Sequence, residues 1–310
     1  RVVIIGGGFA GINLAKHLAD KNAFNVILAD KNNYNFFPPL LYQVATGFFF
    51  FFNISYPFRK MFQGKKNIRF RMGELLKVVS QENKVVLSSG DLEYDYLVLA
   101  TGTKSNYFGL ENVKANAIPM KTVNDALEMR NYLLQQLENA TITPDKAERE
   151  KLLTIVIAGG GPTGVEVSGM LAEMRRFIIR KDYPEFRGEK DRSHIYLIDG
   201  GDQLLSPMSL KSQKDTFNAL SKLGVEIKLN IEVKDYVNDT VVLSNGEHIQ
   251  TKTLIWAAGV SAKPITGIPD ASYGRGKRLL TDAFNKVQNT SNIYAVGDTC
   301  LQTNDPDFPQ

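Results

Sequence analysis

Two glycine fingerprints of the form GxGxxG carry the most chemistry in this sequence. The first is Gly6, Gly8 and Gly11 in RVVIIGGGFAG, and the second is Gly159, Gly161 and Gly164 in TIVIAGGGPTGVE. Such a run means something only where it leaves a strand and opens a helix. Both runs do. A short β-branched stretch precedes Gly6, and Ile12, Leu14, Ala15 and Leu18 then recur at helical spacing. A second β-branched stretch, 154–158, precedes Gly159, and Val165, Ser168, Gly169, Leu171 and Ala172 follow as a small-residue helix. The first glycine makes the turn, the second lets backbone approach a pyrophosphate, and the third lets helix pack on strand. The helix N-terminus adds free N–H groups and a positive dipole end. Phe9 and Ala10 lie inside the first loop. Pro162 and Thr163 lie inside the second, with Pro162 where a missing N–H costs nothing.

Each fingerprint has an acid to match. A strand at 25–29 ends at Asp30, nineteen residues after Gly11, with Lys31 beside it. An acid at that place accepts the hydroxyls of an adenosine ribose; the plainer role is to cap a turn. The second unit's strand, IYLI, ends at Asp199, thirty-five residues after Gly164. The charged stretch IIRKDYPEFRGEKDRSH accounts for the extra length as a surface insertion. A carboxylate there accepts a 2′-hydroxyl and repels a 2′-phosphate, which favours NADH over NADPH.

The elements that must position these residues repeat as well. YDYLVLATG ends at Thr101 and Gly102, and KTLIWAAG ends at Ala258 and Gly259. Each is an apolar strand closing on small residues, so that a loop can cross a bound dinucleotide without a clash. NIYAVGD ends a further strand at Gly297 and Asp298. Short strands at 67–72 and 84–87 read as a meander in the first unit, and those at 225–229, 233–236 and 241–243 as its counterpart, with a turn at Asn245-Gly246. Residues 122–153 read as helix broken at Thr143-Pro144. The expectation is an α/β chain of two Rossmann-like dinucleotide-binding domains, the second inserted into the first. The first is 1–115 with 268–310, and the second is 116–267.

Composition excludes several classes. The 310 residues suffice for two cores. Net charge is +4, with no basic stripe interleaved with aromatics, so no nucleic-acid partner is expected. Three scattered histidines form no metal-ligand pattern, and no metal site is expected. No apolar run reaches the length of a membrane span, and, with the given residues opening directly on a strand, no signal peptide is expected. Cys300 is the single cysteine, so neither a disulfide framework nor a redox pair can form within the chain. An electron acceptor must then meet the redox cofactor directly.

Together these residues resemble the two-dinucleotide flavoprotein reductases, the glutathione-reductase-like group. NNYNFFPPLLYQVATG, NISYPFRKMF, YDYLVLATGT, GGGPTGVEVSGMLAE, TLIWAAGV and IYAVGDTC are more specifically similar to type II NADH:quinone oxidoreductases. The resemblance implies FAD in the first domain, NADH in the second, and electron transfer to a membrane quinone without proton pumping. It implies that Gly6, Gly8 and Gly11 cradle the FAD pyrophosphate and that Asp30, Lys31, Thr101, Gly102 and Asp298 line the rest of that cofactor. It places the segment from Pro39 to Thr46 along the isoalloxazine ring, where Gln43 is either a polar contact or a satisfied helix amide. Glu166 would lie near nicotinamide and flavin, as a first-turn carboxylate favoured by the helix dipole. The bacterial relatives imply a peripheral position on the cytoplasmic face of the plasma membrane, held by a C-terminal region that this sequence lacks. On that view this fragment alone is soluble, and the resemblance also allows a homodimer.

One segment departs from the pattern. Residues 48–52 are five consecutive phenylalanines where the family mixes an acid, a proline and small residues. Burial, or an artefact of the sequence, is expected for them rather than a membrane role. Two alternative functions stay open: a reductase of a ferredoxin- or rubredoxin-type protein, and an apoptosis-inducing-factor-like redox-sensing protein. A sulfide:quinone reductase would need cysteines that are absent.

Overall fold

The computed structural model describes residues 1–186 and 194–302. Residues 187–193 of the expected surface insertion lie outside them. The chain forms two compact units, one from Arg1–Phe36, Ser55–Lys104 and Val260 onward, the other from Phe37–Ile54 and Ser105–Gly259.

The first unit is built on a five-stranded parallel sheet. Its spatial order is Ile293–Ala295, Tyr96–Leu99, Val2–Ile5, Val26–Asp30 and Ile68–Met72. Val2–Ile5 is buried along its whole length, as a central strand covered on both faces must be. Ile4, Ile12, Ala15, Leu28 and Phe58 pack on one face, and Val3, Leu97, Val85, Leu279 and Ile293 on the other. An antiparallel meander, Leu75–Val79, Lys84–Leu87 and Gly90–Glu93, supplies part of that second face.

The second unit repeats the plan. Its parallel sheet runs Ile118–Pro119, Thr253–Trp256, Ile155–Ala158, Ile195–Ile198 and Glu226–Lys228. Its meander is Val233–Val237, Thr240–Leu243 and His248–Gln250. The repetition reaches irregularities: the first meander shifts register between Leu75 and Lys77, and the second between Val233 and Asp235.

Two strand assignments from sequence are corrected. Ile68–Met72 and Glu226–Lys228 are not meander strands; they are the outermost parallel strands, paired with Val26–Asp30 and Ile195–Ile198. An edge strand covered on one face shows the alternation of an antiparallel hairpin, which is why pattern alone misplaces it. The helical region resolves into Val123–Ile142, capped by Thr122, and Lys146–Leu153, capped by Asp145.

The contact boundaries fall elsewhere than 115 and 268. Residues 37–54 go with the second unit because the short helix Leu41–Ala45 packs on Val123–Ile142 and Pro162–Met174. Residues 105–115 join it through Trp256, whose Nε1 donates to the Asn106 carbonyl at 2.8 Å and whose ring stacks on Tyr107. Residues 260–267 join the first unit, where the Val78 N–H donates to the Thr266 carbonyl at 2.8 Å and Ile265 enters the core.

Candidate dinucleotide sites

The two fingerprints fold alike. Gly6 and Gly159 sit at φ +108° and +113°, a region that strains any side chain. A Cβ on Gly6 would lie 2.2 Å from the Ala100 carbonyl oxygen, and one on Gly159 2.4 Å from that of Ala257. The third glycines are packing positions: a Cβ on Gly11 would meet Gly6 O at 1.9 Å, and one on Gly164 would meet Gly159 O at 1.8 Å.

The second glycines differ in kind. Gly8 caps the helix Phe9–Leu18 and Gly161 caps Pro162–Met174, both with extended backbone and neither with a side-chain cap bond. A Cβ on either would meet nothing within 4 Å. Space therefore opens directly over uncapped helix N–H groups, in helices whose first turns hold no acid. That is the cradle a pyrophosphate fits. Phe9 is exposed beside the first, and Pro162 occupies the first position of the second helix.

Between these glycines lies a fourth that the fingerprint does not specify, and it carries the acid. The Gly7 N–H donates to Asp30 Oδ2 at 2.6 Å, and the Gly160 N–H donates to Asp199 Oδ2 at 2.5 Å. The other carboxylate oxygen of each acid accepts the N–H two residues on, Asn32 at 2.8 Å and Gly201 at 2.7 Å. Each acid thus holds the phosphate loop against its strand end. It keeps lone pairs to spare, since an ionised carboxylate has about four acceptor sites. Burial pushes the Asp30 carboxyl above the ordinary carboxylate value, while the Asn32 and Gly7 bonds and the Lys31 charge pull it back.

The carbonyls of the same two glycines are held by unrelated groups. Asn35 Nδ2 donates to Gly7 O at 2.9 Å, and the Leu205 N–H donates to Gly160 O at 2.9 Å. Sequence reasoning missed Asn35; a lone asparagine in NNYN offers no spacing signal.

The first unit has further polar groups on the same edge. Thr101 and Thr299 hydroxyls lie 3.1 Å apart, and the Thr103 hydroxyl donates to Asp298 Oδ2 at 3.4 Å. Arg278, also unforeseen, donates through Nε to the Asp298 carbonyl at 3.0 Å. The turn Gly297–Thr299 abuts the first helix, since a Cβ on Gly297 would lie 2.9 Å from Ala10 Cβ. Gly102, at φ +63°, carries the crossing loop away, and Lys31 is exposed. In the second unit the corresponding strand, Ile118–Pro119, runs on into Met120 and Lys121, and the acid that follows, Asp125, is taken up by the cap of the helix Val123–Ile142, accepting the Lys121 and Thr122 N–H groups at 2.8 Å. There Ala258 is exposed, and a Cβ on Gly259 would meet Phe108 at 2.8 Å.

Three expectations change. Glu166 is the fifth residue of the helix from Pro162, not a first-turn acid, so the dipole, which fades within a turn, gives it little. It is half-buried with no hydrogen-bond or ion-pair partner among the described residues, and burial raises its carboxyl above the ordinary value. Gln43 is not a satisfied amide: Nε2 reaches Tyr42 Oη at 3.3 Å, but the buried Oε1 has no partner. The phenylalanines at 48–52 are not buried; all five rings are 39–64% exposed. They occupy a turn and a single 3-10 turn, where no sheet or helix covers them. Cys300 is buried and unpaired. Among the described residues no cluster of three or more His, Cys, Asp or Glu could hold a metal, and no helix is long and apolar enough to cross a membrane.

Two parallel sheets, each with a glycine cradle locked by its own strand-end acid, give the chain two candidate sites of the dinucleotide-binding type. The chain belongs to the pyridine nucleotide-disulphide oxidoreductase family, whose model matches residues 1–308. It is 34% identical, over 96% of its length, to the type II NADH:quinone oxidoreductase NdhA of Mycobacterium tuberculosis, and covers 66% of that protein. It is 30% identical over 96% of its length to an external alternative NAD(P)H-ubiquinone oxidoreductase (B2, mitochondrial) of Arabidopsis thaliana, covering 54% of it. Among solved structures, NDH2 of Plasmodium falciparum in complex with NADH superposes with a TM-score of 0.89 at 25% identity, over 97% of this chain and 64% of that one. The chain thus spans about two thirds or less of the length of these relatives.

Proposed function

We propose that this chain is the dinucleotide-binding body of a type II NADH:quinone oxidoreductase, with FAD on the first unit and NADH on the second. The observation that carries the reading is the repeated acid clamp, Asp30 on Gly7 and Asp199 on Gly160, under two uncapped helix N-termini. The extra polar edge of the first unit, with Thr101, Thr103, Asp298 and Thr299, suits the longer dinucleotide. The shorter edge of the second suits a nicotinamide dinucleotide.

When bound, the flavin supplies hydride acceptance from the nicotinamide and two-electron donation to a quinone. The chain's own residues bind and orient. Gly8 and Gly161 leave room for phosphate against helix N–H groups, and Asp30 and Asp199 present acceptors to ribose hydroxyls. Asp199 excludes a 2′-phosphate by charge. The orphaned Oε1 of Gln43 offers an acceptor to a ligand N–H, and Glu166 offers a carboxylate to the nicotinamide carboxamide.

The proposal takes as acceptor a quinone, the acceptor that the type II relatives are named for, and extends to a peripheral position on the cytoplasmic face of a bacterial membrane and a homodimer. A protein acceptor is less favoured, because the relatives at 30% identity or more named above are quinone oxidoreductases. Steady-state oxidation of NADH with a water-soluble quinone tests the reading. Turnover with the quinone, at a kcat/KM for NADH well above that for NADPH, is expected. Turnover only with a ferredoxin or rubredoxin would contradict it.

A further inference from the structure

The five phenylalanines at 48–52 belong to neither dinucleotide site, and their exposure calls for an account. Phe50 is 64% and Phe52 62% exposed. They lie within the longest uncharged run of the chain, 32–58, whose 27 residues include 11 aromatics and no ionisable Asp, Glu, Lys, Arg or His. The first charges met along the sequence on either side are basic and exposed, Lys31 before the run and Arg59 and Lys60 after it.

The loop is built to present its rings. The Phe48 and Phe49 N–H groups both donate to the Gln43 carbonyl, at 2.9 and 3.0 Å, which ties the run to the end of the helix Leu41–Ala45. The Phe50 N–H donates to Asn53 Oδ1 at 3.1 Å, closing the 3-10 turn Phe51–Asn53. Phe50 and Phe52 stack with centroids 5.3 Å apart, and Phe51 meets Phe52 edge-on at 5.9 Å. The Phe48, Phe49 and Phe50 N–H groups are satisfied within the loop while all five side chains stay exposed, which lowers the polar cost of entering an apolar medium.

Contiguous exposed apolar surface marks an interaction site. Here its chemistry selects the partner. No charge need be desolvated, apolar aromatic side chains insert at the boundary between headgroups and acyl chains, and the first charges on either side in sequence, Lys31, Arg59 and Lys60, have the sign that anionic lipid attracts. We propose that residues 48–52 form a lipid-inserting loop that docks the chain on an anionic bilayer. This rests on the quinone-reductase reading in one respect: it names the surface that meets the medium in which a membrane quinone dissolves.

The test places a reporter in the loop. Trp256, the single tryptophan, is buried and gives a constant background. Phe50→Trp in the intact protein should shift to the blue and be quenched strongly by vesicles of phosphatidylglycerol and bromine-labelled phosphatidylcholine. Phe284→Trp, at an exposed turn outside the loop, should not be. Phe50→Ser with Phe52→Ser should weaken vesicle binding severalfold while turnover with a water-soluble quinone persists. Three results would overturn the proposal: no quenching of Phe50→Trp, equal quenching of Phe284→Trp, or a blue shift that follows protein concentration without lipid, which would mean self-association. Normal soluble-quinone turnover alongside failed quenching rejects the loop alone; quenching without turnover rejects the function and keeps the loop.

Discussion

On the proposed reading, donor choice turns on Asp199. Its two oxygens hold the Gly160 and Gly201 N–H groups, so replacing it removes a loop clamp and, on that reading, a ribose acceptor. Hydrogen bonds to charged groups are worth about 1.5–3 kcal/mol each. Asp199→Ala should therefore weaken NADH binding about 10- to 100-fold and narrow the preference over NADPH, read from kcat/KM for the two donors. Unchanged selectivity would remove Asp199 from the site. Glu166 makes a prediction about pH. Burial raises its folded-state pKa, so its ionisation opposes folding: the cost is absent below the unfolded value and grows as pH rises through the folded one. Glu166→Gln should accordingly raise the Tm of the nucleotide-free protein at pH 7 and leave it unchanged near pH 4, as calorimetry across pH would measure. Asp30 and Asp199 were legible as candidates from spacing. Their partners were not, because the fingerprint leaves its middle glycine unspecified and backbone N–H donors carry no sequence signature. Asn35 went unseen for the same reason, and Asn35→Ala should loosen the Gly7 loop by about 0.5–1.5 kcal/mol, seen as easier loss of FAD.

At the scale of elements, each strand-loop-helix unit divides its glycines into those the fold needs and those the ligand needs. Gly11→Ala and Gly164→Ala force a Cβ onto a backbone oxygen less than 2 Å away, and should destabilise by about 1–3 kcal/mol, lowering Tm whether or not nucleotide is present. Gly8→Ala and Gly161→Ala fill open space, and should spare the Tm of the nucleotide-free protein. Gly8→Ala should lose the flavin, and Gly161→Ala should keep the flavin and lose NADH, as absorbance and NADH titration would separate. The central strands were readable because buried parallel strands are continuous β-branched runs. The edge strands Ile68–Met72 and Glu226–Lys228 were not, because half-covered parallel strands imitate hairpins. The phenylalanine run was misjudged for a related reason: composition reports how apolar a segment is, whereas its exposure depends on whether any element covers the turn.

At the scale of the molecule, the internal duplication was plain in the sequence, and the structure extends it to sheet order, meander irregularity and acid clamp. Where each unit ends was less legible. Tyr107 and Trp256 bind residues 105–115 to the second unit through a ring stack and one hydrogen bond that no local pattern announces. On the proposed reading, the asymmetry between units gives the duplication its functional sense, with a longer dinucleotide on the first cradle and a shorter one on the second. An anaerobic titration of the intact, purified protein, first with NADPH and then with NADH, tests this most directly through the visible flavin absorbance. The account predicts a yellow protein bleached stoichiometrically by NADH and far less readily by NADPH. A protein that stays colourless after incubation with FAD, or a flavin that NADH does not bleach, would contradict it.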